Sequence, residues 1–201
     1  MLGWIKAVWA RLRRPSASWS VLALSSLGIL IGVAGTAGFN VSMHATGTTE
    51  FCTSCHSMGT FTLPEFQKSV HGSNRTGIVA TCSDCHIPHA LVPKIIRKTT
   101  AGMRDVYGEL TGVIATQELY DAKRLELAEG VWATMRANDS RECRHCHNPT
   151  AMNPELQSAA ARDDHAKMAS EGKTCIDCHQ GVAHQKPVTA EEAAAADDFS
   201  L

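Results

Sequence analysis

Aromatic residues make up only 5% of this 201-residue chain. Charged residues are 19%, below the usual quarter of a soluble domain. Neither sign of charge prevails: 19 Lys and Arg stand against 20 Asp and Glu, and the net charge is −1. That balance gives no argument for nucleic acid as a partner. No Gly-rich phosphate loop of the nucleotide-binding kind is present, and no Ser-His-Asp set can be placed. From Pro15 to Thr49 there is no Asp, Glu, Lys or Arg at all. The eight cysteines leave none unpaired: every one falls in a repeated pentapeptide.

That pentapeptide is Cys-x-x-Cys-His. It occurs as Cys52-Thr-Ser-Cys55-His56, Cys82-Ser-Asp-Cys85-His86, Cys143-Arg-His-Cys146-His147 and Cys175-Ile-Asp-Cys178-His179. It is the attachment signature of a c-type haem. The two thiols add across the two vinyl groups of one porphyrin, and the adjoining His stands under the ring as proximal iron ligand. Zinc sites, a thioredoxin-like redox pair and a disulfide framework also use cysteine pairs. None of them needs a His after the second Cys every time. Four covalent haems are therefore expected. They also account for the scarcity of aromatics, since each porphyrin is a large apolar plate.

The uncharged stretch predicts a membrane anchor. Val21–Phe39 is dense in Leu, Ile, Val, Ala and Gly, and about 20 helical residues cross a hydrocarbon core of roughly 30 Å. Lys6, Arg11, Arg13 and Arg14 precede it, which predicts a cytoplasmic N-terminus. A cleaved signal peptide is the competing reading, but the apolar run is longer than a usual signal core. The expected organisation is a cytoplasmic N-terminus at 1–18, an anchor at 19–40, a haem domain on the outer side at 41–187 and a disordered tail at 188–201. The expected fold class is mainly α: one transmembrane helix, then a compact tetrahaem domain of short helices and much irregular chain.

Beyond the anchor, Met58 lies two residues past His56. A thioether can be an axial iron ligand and raises the potential, or it can simply pack. A short helix is expected near Glu65–Val70, followed by His71, a distal-ligand candidate. Lys94–Leu110 has the 3.6-residue period of an amphipathic helix. Lys98 and Asp105, seven apart, share one face of it. A second helix is expected over Thr116–Ala137 with Leu119, Ala122, Leu125, Ala128, Val131 and Trp132 as its apolar stripe, and a third over Glu155–Ala169 holding His165. His184, five residues past His179, is too close to bind the far side of the same haem and suits a neighbouring one.

These features resemble the NapC/NirT/NrfH family of membrane-anchored tetrahaem quinol dehydrogenases. The likeness rests on the anchor, the first motif with Met58, Asp84-Cys-His-Ile-Pro-His89, the Lys98–Asp105 helix and Thr174-Cys-Ile-Asp-Cys-His-Gln-Gly-Val-Ala-His184. The spacings from the second motif onward are nearer the NapC/NirT branch. The resemblance implies an inner-membrane protein with its haem domain in the periplasm. It would oxidise quinol from the membrane pool and pass electrons to a soluble periplasmic nitrate or nitrite reductase. It implies Met58 as axial ligand of haem 1, with His56 not required there, and Lys98 approaching or ligating haem 2 opposite His86. His184 would face His147 on haem 3, and His71 would face His179 on haem 4. Asp105 would line the quinol pocket. On a bis-histidine reading, His71, His89, His165 and His184 are the four distal candidates. Two other functions remain open on the sequence: an electron relay with no quinol site of its own, and a multihaem terminal reductase. Oligomeric state is open as well.

Overall fold

A computed structural model describes residues 2–12 and 18–189. Arg13, Arg14 and most of the expected tail lie outside the described residues. The chain divides into two units, Met1–Thr46 and Gly47–Leu201. The described residues are mainly helical and contain no strand.

The first unit holds α1 (Leu2–Leu12) and α2 (Val21–Ala45). Ser20 caps α2 by accepting from the Ala23 amide at 3.2 Å. Asn40, a polar residue inside the apolar run, donates to the Thr36 carbonyl at 2.8 Å. Its amide is thus satisfied within the helix, as a lipid-exposed segment demands. None of α2 is buried within the protein, and its length and composition suit a membrane span. The helix runs five residues past the expected end at 40. Nothing in Val41–Ala45 breaks it, and Thr48 then caps the next helix.

The second unit contains α3 (Thr49–Cys52), a π-turn at Met58–Thr62, α4 (Leu63–Lys68), α5 (Cys82–His86), α6 (Leu91–Thr111) and α7 (Gln117–Ala137). α8 (Arg141–Cys146), α9 (Ala159–Met168) and α10 (Cys175–Cys178) follow. The expected helix over Glu155–Ala169 is split. Pro154–Leu156 is a 3-10 turn, and Ser158 then caps α9 by accepting from the Ala161 amide. α4 begins and ends two residues early, because Pro64 suits a first turn and Ser69 turns extended.

The apolar side-chain core is small. Phe61, Phe66, Tyr120, Trp132 and Ile176 are its buried members. Phe61 stacks on Tyr120 with ring centroids 5.4 Å apart, and the Arg124 guanidinium lies 4.6 Å from the Tyr120 ring centre. Arg124 also pairs with Glu65 at 2.7 Å and Asp121 at 2.8 Å. Glu65 accepts in addition from the Gln185 amide at 2.9 Å. One carboxylate therefore ties α4, α7 and the C-terminal segment together. On α7 the buried face is centred on Tyr120 and Trp132, while Leu119 is 45% exposed. Of the expected stripe, Trp132 is buried and Leu125, Ala128 and Val131 are half-buried, while Leu119 and Ala122 are exposed and Tyr120 stacked on Phe61 takes their place.

A tight crossing occurs at Gly72, where a Cβ would sit 2.0 Å from the Phe66 carbonyl oxygen. That oxygen already accepts from Ser69, so neither side can yield. Gly72→Ala should lower stability by about 3 kcal/mol, read as a shifted thermal or denaturant midpoint of the holoprotein. An unchanged midpoint would show that the chain turns there without the close approach.

Candidate functional site

Each pentapeptide folds onto about one helical turn, but the four are not equivalent. The second and fourth start their helices at the first cysteine and share a cap. Thr81 and Asp84 form a capping box, as do Thr174 and Asp177. The Asp carboxylate accepts from the Thr amide at 2.7 Å in both. Thr-Cys-x-Asp-Cys-His is thus a local folding unit: the Asp between the cysteines closes the turn that aligns them. The first motif has the reverse register, since α3 ends on Cys52. The third sits on α8, entered through Asp139 and Ser140 in the left-handed region (φ 58° and 47°). Ser140 is completely buried, and its hydroxyl accepts from the Ile176 amide at 3.2 Å. Arg136 meets Asp177 at 2.6 Å. These contacts bind the fourth motif to the end of α7 and to the start of the third.

The motifs neighbour one another in chain order. α3 packs on α5 and α5 on α8. Cys52 lies against Cys82, Cys85 interacts with Cys143 and Cys146, and Cys143 with Cys175.

The histidines form four ring pairs, and three have one spacing. His71 and His147 have centroids 6.0 Å apart, His86 and His184 6.3 Å, and His165 and His179 6.0 Å. Two imidazoles on opposite sides of one metal, each bonded at about 2 Å, have ring centres about 6 Å apart. The outer nitrogens fit as well. His71 Nδ1 donates to the Val182 carbonyl at 3.2 Å, and His165 Nδ1 donates to Gln157 Oε1 at 2.7 Å. An acceptor of this kind on one ring nitrogen fixes the tautomer and frees the other nitrogen for a metal. His184 Nδ1 is buried with no hydrogen-bond partner. Burial, followed by the neighbouring His184 and Arg97, pushes His86 down to about 4. Its ring is therefore neutral, the ligating form. The residues present fit haem iron at three of the four motifs.

These partners differ from those the resemblance implies. His184 stands beside His86, not His147, because Glu65 draws Gln185 to α4. His71 stands beside His147, not His179. His165, unassigned by the resemblance, faces His179 from α9. His89 stacks on His145 at 3.6 Å and 16°, too close for a metal between them. Sequence spacing contains no signal for these pairs, which depend on how distant segments cross.

The first motif has no second histidine. His56 is exposed, edge-on to Phe61 at 5.8 Å, with Thr60 Oγ1 3.4 Å from its Nδ1. Met58 opens the π-turn and is half-buried. Between them, Ser57 is buried and is held by Glu109 of α6: its hydroxyl donates to the carboxylate at 2.6 Å, and its amide lies 3.3 Å from the same group. The Ser57 hydroxyl holds the Glu109 carboxyl below its usual range. Glu109 lies on the face of α6 that carries Lys98 and Asp105. Lys98 interacts with Cys52 of the first motif, and partial burial lowers its amine. Arg97 reaches the second motif, donating to the His86 carbonyl at 3.3 Å. Partial burial raises the Asp105 carboxyl, against the opposing charges of Arg104 and Arg97. Sequence reasoning missed Glu109, although its spacing of four from Asp105 was available.

A sequence profile described as the NapC/NirT cytochrome c family, N-terminal region, matches residues 14–189. The chain belongs to this family. Among its relatives, the denitrification system component NirT of Stutzerimonas stutzeri is 44% identical over 89% of this chain and 88% of its own. The cytochrome c-type protein NapC of Escherichia coli strain K12 is 44% identical over 92% of each chain. A chain of the solved cytochrome c nitrite reductase NrfHA complex bound to the HQNO inhibitor matches over 82% of this chain and 94% of its own, at 30% identity and a TM-score of 0.48. Family membership makes this chain a c-type cytochrome, an electron-transfer protein with covalently bound haem c. Its apolar α2 is consistent with a single-pass membrane anchor.

Proposed function

We propose that this cytochrome takes electrons from membrane quinol and delivers them through four c-type haems to a soluble periplasmic nitrate or nitrite reductase. The observation that carries the reading is one face of α6. It joins the first motif through Glu109 at Ser57 and carries Asp105 and Lys98 about one and three turns earlier on the same face. An acid with a raised pKa and an amine with a lowered one, on one helix face that is tied to a redox motif, are suited to a substrate that gives up protons and electrons together.

The eight cysteines would hold the porphyrins. His86 with His184, His147 with His71 and His179 with His165 would hold three irons, and Met58 the first. When bound, the haems supply one-electron redox chemistry. The chain's own residues do the rest. Lys98 orients a quinol oxygen. Asp105, when ionised, takes a proton from a quinol hydroxyl. Glu109 keeps the Ser57–Met58 turn in place by accepting both of the Ser57 donors. The basic N-terminus would lie in the cytoplasm, which sends the haem domain to the periplasm.

The paired histidines also argue against a terminal reductase, which needs an open coordination position at an exposed iron. The test is reconstitution of the holoprotein in liposomes with reduced quinol while the haem bands are followed. Reduction of the haems within the dead time of manual mixing is expected, and a quinol analogue should inhibit it. Four intact haems that quinol does not reduce would make the protein an electron relay fed by another subunit.

A further inference from the structure

α6 turns its apolar side outward. Val92, Ile96, Met103, Val106, Tyr107 and Leu110 recur at spacings of three, four and seven, and so form one stripe. Each is more than half exposed, from 54% at Val106 to 83% at Leu110. The opposite side is occupied. Arg97 reaches the His86 carbonyl, Lys98 interacts with Cys52, and Glu109 binds Ser57. The stripe is therefore not the inner face of a misjudged helix. It is a large exposed apolar patch, the kind that marks an interaction surface.

We propose that the outer face of α6 lies in the headgroup and upper acyl layer of the bilayer, as a second membrane contact in addition to the anchor. Three observations favour lipid over protein as the occupant. The chain already carries a span, and only Thr46, Gly47 and Thr48 separate α2 from α3. The last turns of α6 are tied through Glu109 to Ser57, twelve residues past the end of α2, so the chain itself keeps this helix within reach of a membrane. The exposed charge bordering the stripe is basic: Arg104 is 70% exposed, with Asp105 3.9 Å from it, while Lys98 and Glu109 sit on the motif side. A cation beside an apolar stripe, with a tyrosine among its members, suits an interfacial helix on anionic lipid. This contact goes beyond the quinol reading and holds whether or not the inner face of α6 binds quinol.

The test uses the full-length holoprotein in vesicles of phosphatidylglycerol and phosphatidylethanolamine. All eight native cysteines lie in haem motifs, so a cysteine introduced by Leu110→Cys is the single free thiol for a nitroxide label. Glu129→Cys on the exposed side of α7 is the aqueous control. Power-saturation spectroscopy should give an oxygen-to-nickel-chelate collision ratio above one at 110 and below one at 129. Met103→Cys should repeat the result if Leu110→Cys loads haem poorly. A ratio at both 103 and 110 matching that at 129 would overturn the proposal. So would shielding that arises only when a periplasmic reductase is added, which would make the stripe a protein interface.

Discussion

Asp105→Asn should slow quinol-driven haem reduction by about 10²-fold or more, the usual worth of a positioned general base. It should leave four haems attached and their dithionite-reduced spectrum unchanged. Asn keeps the size and one acceptor oxygen but cannot take a proton. The charge argument gives a second readout. Partial burial lifts the Asp105 carboxyl above its ordinary value, against Arg104 and Arg97. Proton acceptance needs the ionised form, so the rate of the native protein should rise with pH through that raised pKa. The Asn variant should lose this rising limb. Reduction by dithionite should be indifferent to both. A variant that retains the native rate and pH profile would remove Asp105 from proton transfer, and the α6 face would then serve only to hold the first motif.

Asp105 was accessible to sequence reasoning because helical periodicity is strong over Lys94–Leu110, and seven residues make nearly two turns. The same period predicted an amphipathic helix correctly but gave no sign of which side faces the protein. α6 answers through polar contacts: Arg97 and Glu109 bind the motifs, so the apolar residues are left outside. α7 shows a related limit. Its extent was legible from Thr116, which caps it, to Ala137. Most of its expected stripe faces inward, at Leu125, Ala128, Val131 and Trp132, but Tyr120 on Phe61 replaces Leu119 at the start of the buried side. The attachment motifs are local, so their spacing was sufficient to read them. Distal partners are the opposite case. His184 is placed by Gln185 on Glu65, 120 residues away in sequence, and no local pattern records that contact.

The ligand pairs carry the other large effect. His165→Ala should convert one of four haems from low to high spin, a quarter of the total, whereas Lys98→Ala should convert none. The two ligand schemes exchange these outcomes. With Lys98 opposite His86, as the resemblance implies, Lys98→Ala would open a coordination position and His165→Ala would be silent. The geometry supports the first outcome on two counts. His165 faces His179 at 6.0 Å with its Nδ1 committed to Gln157, so its remaining nitrogen is available for iron. His184 already faces His86 at 6.3 Å, which leaves Lys98 no axial position at that motif. His71→Ala and His184→Ala should each add one further high-spin haem, and His89→Ala none, since its ring is stacked on His145. His165→Met gives a finer check. A thioether in place of the imidazole keeps the iron six-coordinate and raises its potential, so one titration step should move upward while the others stay. Magnetic circular dichroism in the near infrared separates these cases, because His–His and His–Met ligation give distinct charge-transfer bands. A high-spin signal from Lys98→Ala, with His165→Ala unchanged, would return Lys98 to the second haem and leave His165 a surface residue held by Gln157.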